Sequence, residues 1–88
     1  MRRGGRVEQS VLGPGVFVHS WAHLEGCVVF EDVEVGRHAK IRRAIIDKEV
    51  KIPAAERIGF DLARDRRRFT VTDHGVVVIP KGHVIRPA

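Results

Sequence analysis

Large aliphatic residues recur at Leu12, Val18, Leu24, Val29, Val35, Ile41, Ile46, Ile52 and Ile58, in steps of six, six and five. The segments S-V-L-G-P-G-V-F-V-H (10 to 19), C-V-V-F-E-D-V-E-V-G (27 to 36) and A-I-I-D-K-E-V-K-I-P (44 to 53) superimpose without a gap at an offset of 17 residues. A fixed internal period of this kind marks a repeat architecture. Two residues before most of the large aliphatics stands a smaller or β-branched partner: Ser10, Cys27 and Ala44, then Val16, Val33 and Val50, then Ala22 and Ala39. A period of two within each hexad is that of a strand, with both residues on one face. Three short strands per period close a triangular coil whose large aliphatics stack in the centre and whose small residues fit the corners, a parallel β-helix. A helical reading is opposed by the β-branched residues, by the breaks at Gly13-Pro14-Gly15, Gly26, Gly36 and Pro53, and by the failure of 3.6-residue spacing.

The repeat breaks at D-L-A-R-D-R-R-R-F-T (61 to 70), which is too charged for a strand and predicts a short helix or a protruding loop. It resumes in G-V-V-V-I-P-K-G-H-V-I, where Val77, Ile79 and Ile85 are expected to take the places of Val50, Ile52 and Ile58 in a partial fourth coil. The predicted organisation is therefore a flexible lead-in over 1–9, coils over 10–60, a charged insertion over 61–70, and a final partial coil and tail over 71–88. One outward column, Val11, Val28 and Ile45, is wholly apolar. It reads either as a contact surface or as ordinary partly buried corner residues. Unpaired strand edges at the ends of the stack also favour association.

With 88 residues the chain holds one small domain. Sixteen Lys and Arg against eleven Asp and Glu leave a net charge of +5, which favours anionic partners. The single cysteine, Cys27, excludes an intrachain disulfide and an all-cysteine metal site and fits a reducing compartment, so a cytoplasmic location is expected. No apolar run approaches the roughly 20 residues of a membrane span, and Met1–Arg6 leads into no apolar signal core. A soluble protein with no membrane partner is expected.

The segment G-R-H-A-K-I-R-R-A-I-I-D-K-E-V-K-I-P (36 to 53), then I-G-F-D, then D-R-R-R-F-T-V-T-D-H-G-V-V-V-I-P-K-G (65 to 82), closely resembles the carboxy-terminal domain of bacterial glucose-1-phosphate adenylyltransferase, also called ADP-glucose pyrophosphorylase. The resemblance runs from about Gln9 to Gly82. It implies an all-β fold, a left-handed parallel β-helix of hexapeptide-type repeats with about three to four coils. It also implies glycogen biosynthesis, in which an amino-terminal domain joins ATP and glucose-1-phosphate into ADP-glucose and pyrophosphate with a glycine-rich phosphate loop and Mg²⁺. This sequence has no glycine-rich loop opening a helix after a strand. The chain is thus expected to bind neither Mg²⁺ nor ATP as a cofactor, to carry no catalytic residue, and to be inactive alone, as a fragment, a split gene product or a degenerate copy.

The resemblance further implies a role in forming a homotetramer and, with the catalytic domain or subunit, a site for anionic sugar-phosphate or nucleotide effectors. Lys48 and Lys81 match positions where the family places effector-contacting cations, and fixed cationic donors suit phosphate oxygens. Asp47 could orient the Lys48 ammonium or simply pair with it. Arg42 and Arg43 are further candidates, although consecutive strand residues point to opposite sides unless a corner intervenes. Arg64, Arg66, Arg67 and Arg68 read as a solvated face more readily than as an extension of an anion site. With Phe69 the one aromatic nearby, the cluster disfavours nucleic acid. Trp21 is expected to be a corner or interface anchor, with His38 in its column one coil later. His19 and His23 are four apart, a spacing that aligns ligands on a helix but not on a strand, so exposed loop histidines are expected and no metal site. Two rival readings remain: a self-contained hexapeptide-repeat acyltransferase, usually trimeric with a histidine base between subunits, and a purely structural adaptor that self-associates through its coil edges.

Overall fold

The computed structural model describes residues 4–86. Its strands are short because each covers only one side of a triangle. Face A holds β1 (Arg6–Glu8), β4 (His23–Glu25), β7 (Lys40–Arg42) and β10 (Arg57–Ile58), in that order and all parallel. Face B holds β2 (Val11–Leu12), β5 (Val28–Val29), β8 (Ala44–Ile46) and β12 (Val77–Ile79), also parallel, with β11 (Thr70–Val71) added antiparallel outside β12. Face C holds β3 (Phe17–Val18), β6 (Glu34–Val35) and β9 (Lys51–Ile52), extended by an isolated parallel bridge from Lys51 to Val84. This is a β-solenoid of the hexapeptide-repeat kind, with one short helix, α1 (Leu62–Arg68).

The inward columns form the core. Leu24, Val35, Ile46, Val50, Ile58, Val77 and Ile79 are each fully buried, and Cys27, Ala22, Ala39 and Ala44 fill the narrow positions beside them. Leu12, expected inward, is 37% exposed, because β2 is the outermost strand of face B and no further rung covers it. Each corner is turned by one residue with positive φ. Gln9, Gly26 and Arg43 turn the corner between faces A and B; Gly15, Asp32, Glu49 and Gly82 turn that between B and C; Gly4, Trp21, His38 and Ala55 turn that between C and A. Backbone bonds stack these corners on one another, as in His38 N to Ser20 O (3.1 Å) and Ala55 N to Arg37 O (2.8 Å).

Two sequence expectations need correction. Arg6–Glu8, placed in the flexible lead-in, is the first strand of face A, with Val7 in register with Leu24; residues 1–3 of that lead-in lie outside the described residues. The fourth coil also resumes one face earlier than expected: Val77 and Ile79 pair with Ala44 and Ile46, not with Val50 and Ile52. The reason is topological. The chain leaves the stack after β10 on face A, and the next rung available to it is face B.

The charged insertion is a helix followed by a β-hairpin. Asp61 caps α1 by accepting from the Arg64 amide (3.1 Å), and the Phe69 amide closes its last turn on Asp65 O (2.7 Å). Leu62, Phe69 and Val71 pack against the core.

Candidate functional site

The two lysines picked out in the sequence meet at the corner between faces B and C. Strand β8 ends at Ile46, Glu49 takes φ 59°, and the Gly82 amide donates to Lys48 O (3.0 Å), which sets Lys81 on the rung beside Lys48. Asp47 does not pair with the Lys48 ammonium: its Oδ1 accepts from the Lys48 backbone N–H (2.7 Å), while Lys48 Nζ lies 6.0 Å from the Phe30 ring centroid. Lys81 Nζ stands 3.7 Å from Glu49 Oε1, with both side chains 62% exposed, so this pair contributes little and leaves the ammonium accessible to a competing anion.

Arg42 and Arg43 lie elsewhere, at the corner between faces A and B. A corner does intervene, because Arg43 has φ 51°, and both side chains reach the same cleft of about 590 Å³ beside Gly59, Phe60, Leu62 and Gly75. Their donors are partly committed. Arg42 gives Nε and Nη2 to Gly59 O (3.3 and 3.2 Å), and Arg43 gives Nη2 to His74 O (2.6 Å). They clasp the entry and exit of the insertion. The four cations considered together in the sequence are thus divided between two corners, at opposite ends of face B.

Sequence reasoning missed Glu56. It occupies the column of Ala22 and Ala39 one period on, and is 5% exposed. Arg68 Nη1 approaches Glu56 Oε1 at 2.9 Å and Arg64 Nη1 does so at 3.5 Å. The Arg68 contact is close but off the hydrogen-bonding direction, so charge attraction rather than aligned N–H···O bonds holds it. Asp65, 1% exposed, accepts from the Gly59 amide (2.9 Å) and stands 3.6 Å from Arg68. Two of the arginines read as a solvated face therefore turn inward to a carboxylate. A 17-residue count from Ala39 would have shown a charge in a core column.

The outward apolar column continues beyond the three residues expected. Val11 (67% exposed), Val28 (36%) and the half-buried Ile45 are joined by Val78, which pairs with Ile45. Trp21, 56% exposed, is not on that face: it stands at the corner between C and A, stacked on His38 with ring centroids 6.5 Å apart. His19 Nε2 meets Glu34 Oε2 at 2.6 Å and His23 Nε2 meets Glu8 Oε2 at 3.3 Å. These are separate pairs, and among the described residues no three His, Cys, Asp or Glu side chains are grouped so as to hold a metal ion. Burial pushes the Cys27 thiol up, with smaller opposing contributions from backbone hydrogen bonds. No helix among the described residues is long and apolar enough to cross a membrane.

The family model described as "GlmU-like, C-terminal hexapeptide" matches residues 1–79. The chain belongs to this hexapeptide family. Within the GlmU-like hexapeptide fold, its similarity extends to proteins named glucose-1-phosphate adenylyltransferase. It is 55% identical over 82 residues to that of Deinococcus radiodurans, covering 92% of this chain and 20% of the relative. The Anaeromyxobacter protein is 50% identical over 84 residues (96% and 20%), and that of Deinococcus deserti 56% identical over 81 residues (91% and 20%). The chain thus spans about one fifth of the length of these relatives.

Proposed function

We propose that this chain serves as the regulatory and oligomerisation part of a glucose-1-phosphate adenylyltransferase, the enzyme that converts ATP and glucose-1-phosphate to ADP-glucose and pyrophosphate in glycogen biosynthesis. The observation that carries the reading is identity of 50–56% to enzymes of that name along more than nine tenths of this chain. The nucleotide-joining chemistry, with its ATP and Mg²⁺, belongs to a catalytic domain or subunit that partners this one. The solenoid supplies an effector corner and an assembly surface, and the work is done in the cytoplasm.

Effector binding is assigned to Lys48 and Lys81. They stand on adjacent rungs of one corner, and each ammonium projects from a turn rather than into the core. A phosphate group placed between them would gain two charge-assisted contacts and displace the weak Lys81–Glu49 pair. Arg42 and Arg43 contribute through the insertion they clasp. The apolar column Val11, Val28, Ile45 and Val78 is assigned to assembly into a homo-oligomer, a tetramer by analogy with the family, with Trp21 anchoring a second contact.

Fructose-1,6-bisphosphate and AMP titrated against thermal unfolding of the intact polypeptide test the effector assignment, with Lys48→Ala and Lys81→Ala beside it. The expected result is a ligand-dependent rise in Tm that shrinks in both variants. Equal shifts in all three proteins would reject the assignment.

A further inference from the structure

Face A carries an ordered ladder of cations. Arg6, His23, Lys40 and Arg57 are in register on successive rungs, and Glu8, Glu25 and Arg42 form the neighbouring column. At one end the charges are matched, since Glu8 meets both Arg6 (3.1 Å) and His23 (3.3 Å). At the other end they are not. Lys40, Arg42 and Arg57 have no carboxylate within ion-pair distance among the described residues, and Glu25, the nearest in register, forms no such pair.

Phe60 gathers two of these cations. Its ring, on a residue 39% exposed, lies 4.6 Å from Arg42 Cζ and 4.9 Å from Arg57 Cζ. Contact with the ring fixes the guanidinium planes and leaves N–H donors for another partner. Among the described residues Arg42 commits Nε and Nη2 to Gly59 O and keeps Nη1, and Arg57 and Lys40 make no side-chain hydrogen bond. Three like charges on adjacent rungs repel one another, and a multiply charged anion removes that repulsion.

We propose that Arg42 and Arg57, gathered by Phe60, form with Lys40, the register partner of Arg57, a binding site for the phosphate group of a small soluble ligand. A tetrahedral dianion suits three cations carried on two neighbouring strands, whereas a lone carboxylate would leave an excess of positive charge. The cleft of about 590 Å³ alongside, whose lining includes Arg42, Arg43, Phe60 and Leu62 and one carboxylate, Glu25, accommodates the uncharged remainder of a small ligand. A long polyanion is a poor occupant, because Glu8 and Glu25 set negative charge in the column beside the ladder and Phe60 is already in contact with two guanidinium groups. The site is on another corner from Lys48 and Lys81 and does not rest on the assignment made for them.

The test is NMR of the 88-residue chain, following the Arg Nε–Hε and Phe60 ring signals at fixed ionic strength. Orthophosphate, a hexose monophosphate and AMP are added in separate titrations, with chloride as control. Saturable shifts at Arg57, Arg42 and Phe60 are expected. Arg57→Gln and Lys40→Gln should each weaken binding about fivefold, while Lys48→Ala/Lys81→Ala leaves it unchanged. Equal affinity for all three ligands identifies the phosphate group as what is recognised, and tighter binding of either organic phosphate adds a contribution from the cleft. Shifts that chloride reproduces, or that persist with unchanged affinity in both Gln variants, overturn the proposal. Loss of the shifts only in the Lys48/Lys81 variant also overturns it, and leaves the corner assignment standing.

Discussion

Replacing Glu56 with alanine is the most informative single perturbation of this fold. Alanine already occupies the same column at positions 22 and 39, so Glu56→Ala introduces no overpacking and removes the carboxylate together with its short aliphatic stem. What remains is Arg68, 22% exposed at its side chain, with Asp65 at 3.6 Å as its surviving carboxylate, and Arg64 with none. Removing one partner of a fully buried pair costs about 3–5 kcal/mol. Arg68 keeps some solvent and one acidic neighbour, which brings the expected loss to about 2 kcal/mol, or roughly 8–16 °C in Tm for a domain of this size. Arg68→Met in the same background leaves an apolar contact in place of the stranded cation and should recover most of that loss. Thermal and urea denaturation of wild type, both single variants and the double variant complete the cycle. A coupling of at least about 1 kcal/mol is expected. A Glu56→Ala protein as stable as wild type, or single effects that simply add, would refute the view that α1 is held to the stack by this carboxylate.

Gly59→Ala should be more damaging than its size suggests: Gly59 has φ 90°, and an added Cβ would stand 1.9 Å from Arg42 O, so a loss of at least about 2 kcal/mol is expected by urea denaturation. Ala55→Gly should act in the opposite sense, raising stability by about 0.5–1 kcal/mol in the same assay, because Ala55 is held at φ 61°. Cys27 should resist alkylation in the folded protein and react fully in denaturant. Its thiol is pushed up in the fold, so above about pH 8.5 the unfolded chain loses the proton first and stability falls as pH rises; Cys27→Ala should abolish that alkaline slope in a pH series of urea denaturations. Val28→Asp, on an outward position 36% exposed, should leave Tm nearly unchanged while reducing association measured by sedimentation, and unchanged association would remove face B as the contact surface.

The periodic part of this fold was legible because each rung repeats the same local problem. Inward residues from Val18 to Ile58 obey the count of six, six and five, and the structure buries them as the pattern requires. Failures occur where a residue's surroundings come from outside the repeat. Leu12 satisfies the pattern yet is exposed, since burial needs a rung on both sides and β2 has one. Spacing alone puts Val77 on the wrong face, because it does not say at which corner an insertion leaves and returns; hydrogen bonding decides it, with the Val77 amide donating to Arg43 O (3.1 Å). Arg42 and Arg43 read in the sequence as anion-site candidates of which one could be tied up structurally, and the carbonyls that hold both, at Gly59 and His74, lie 17 and 31 residues away. Glu56 is different: it stands one 17-residue step beyond Ala22 and Ala39, so its place in a core column is legible in the sequence.

The positive-φ corners have a consequence for how the molecule assembles. Gln9, Trp21, Asp32, His38, Arg43, Glu49 and Ala55 hold a left-handed conformation without the freedom of glycine. Each is about 1 kcal/mol or more out of favour until something compensates it. Compensation comes largely from the neighbouring rung, through contacts such as the Glu49 amide on Glu31 O (3.2 Å) and the Arg43 amide on Glu25 O (2.9 Å). A single coil cut from the stack would keep its unfavourable corners and lose the bonds that offset them. The rungs are therefore interdependent, and the solenoid should melt as one cooperative unit rather than fray coil by coil from its ends.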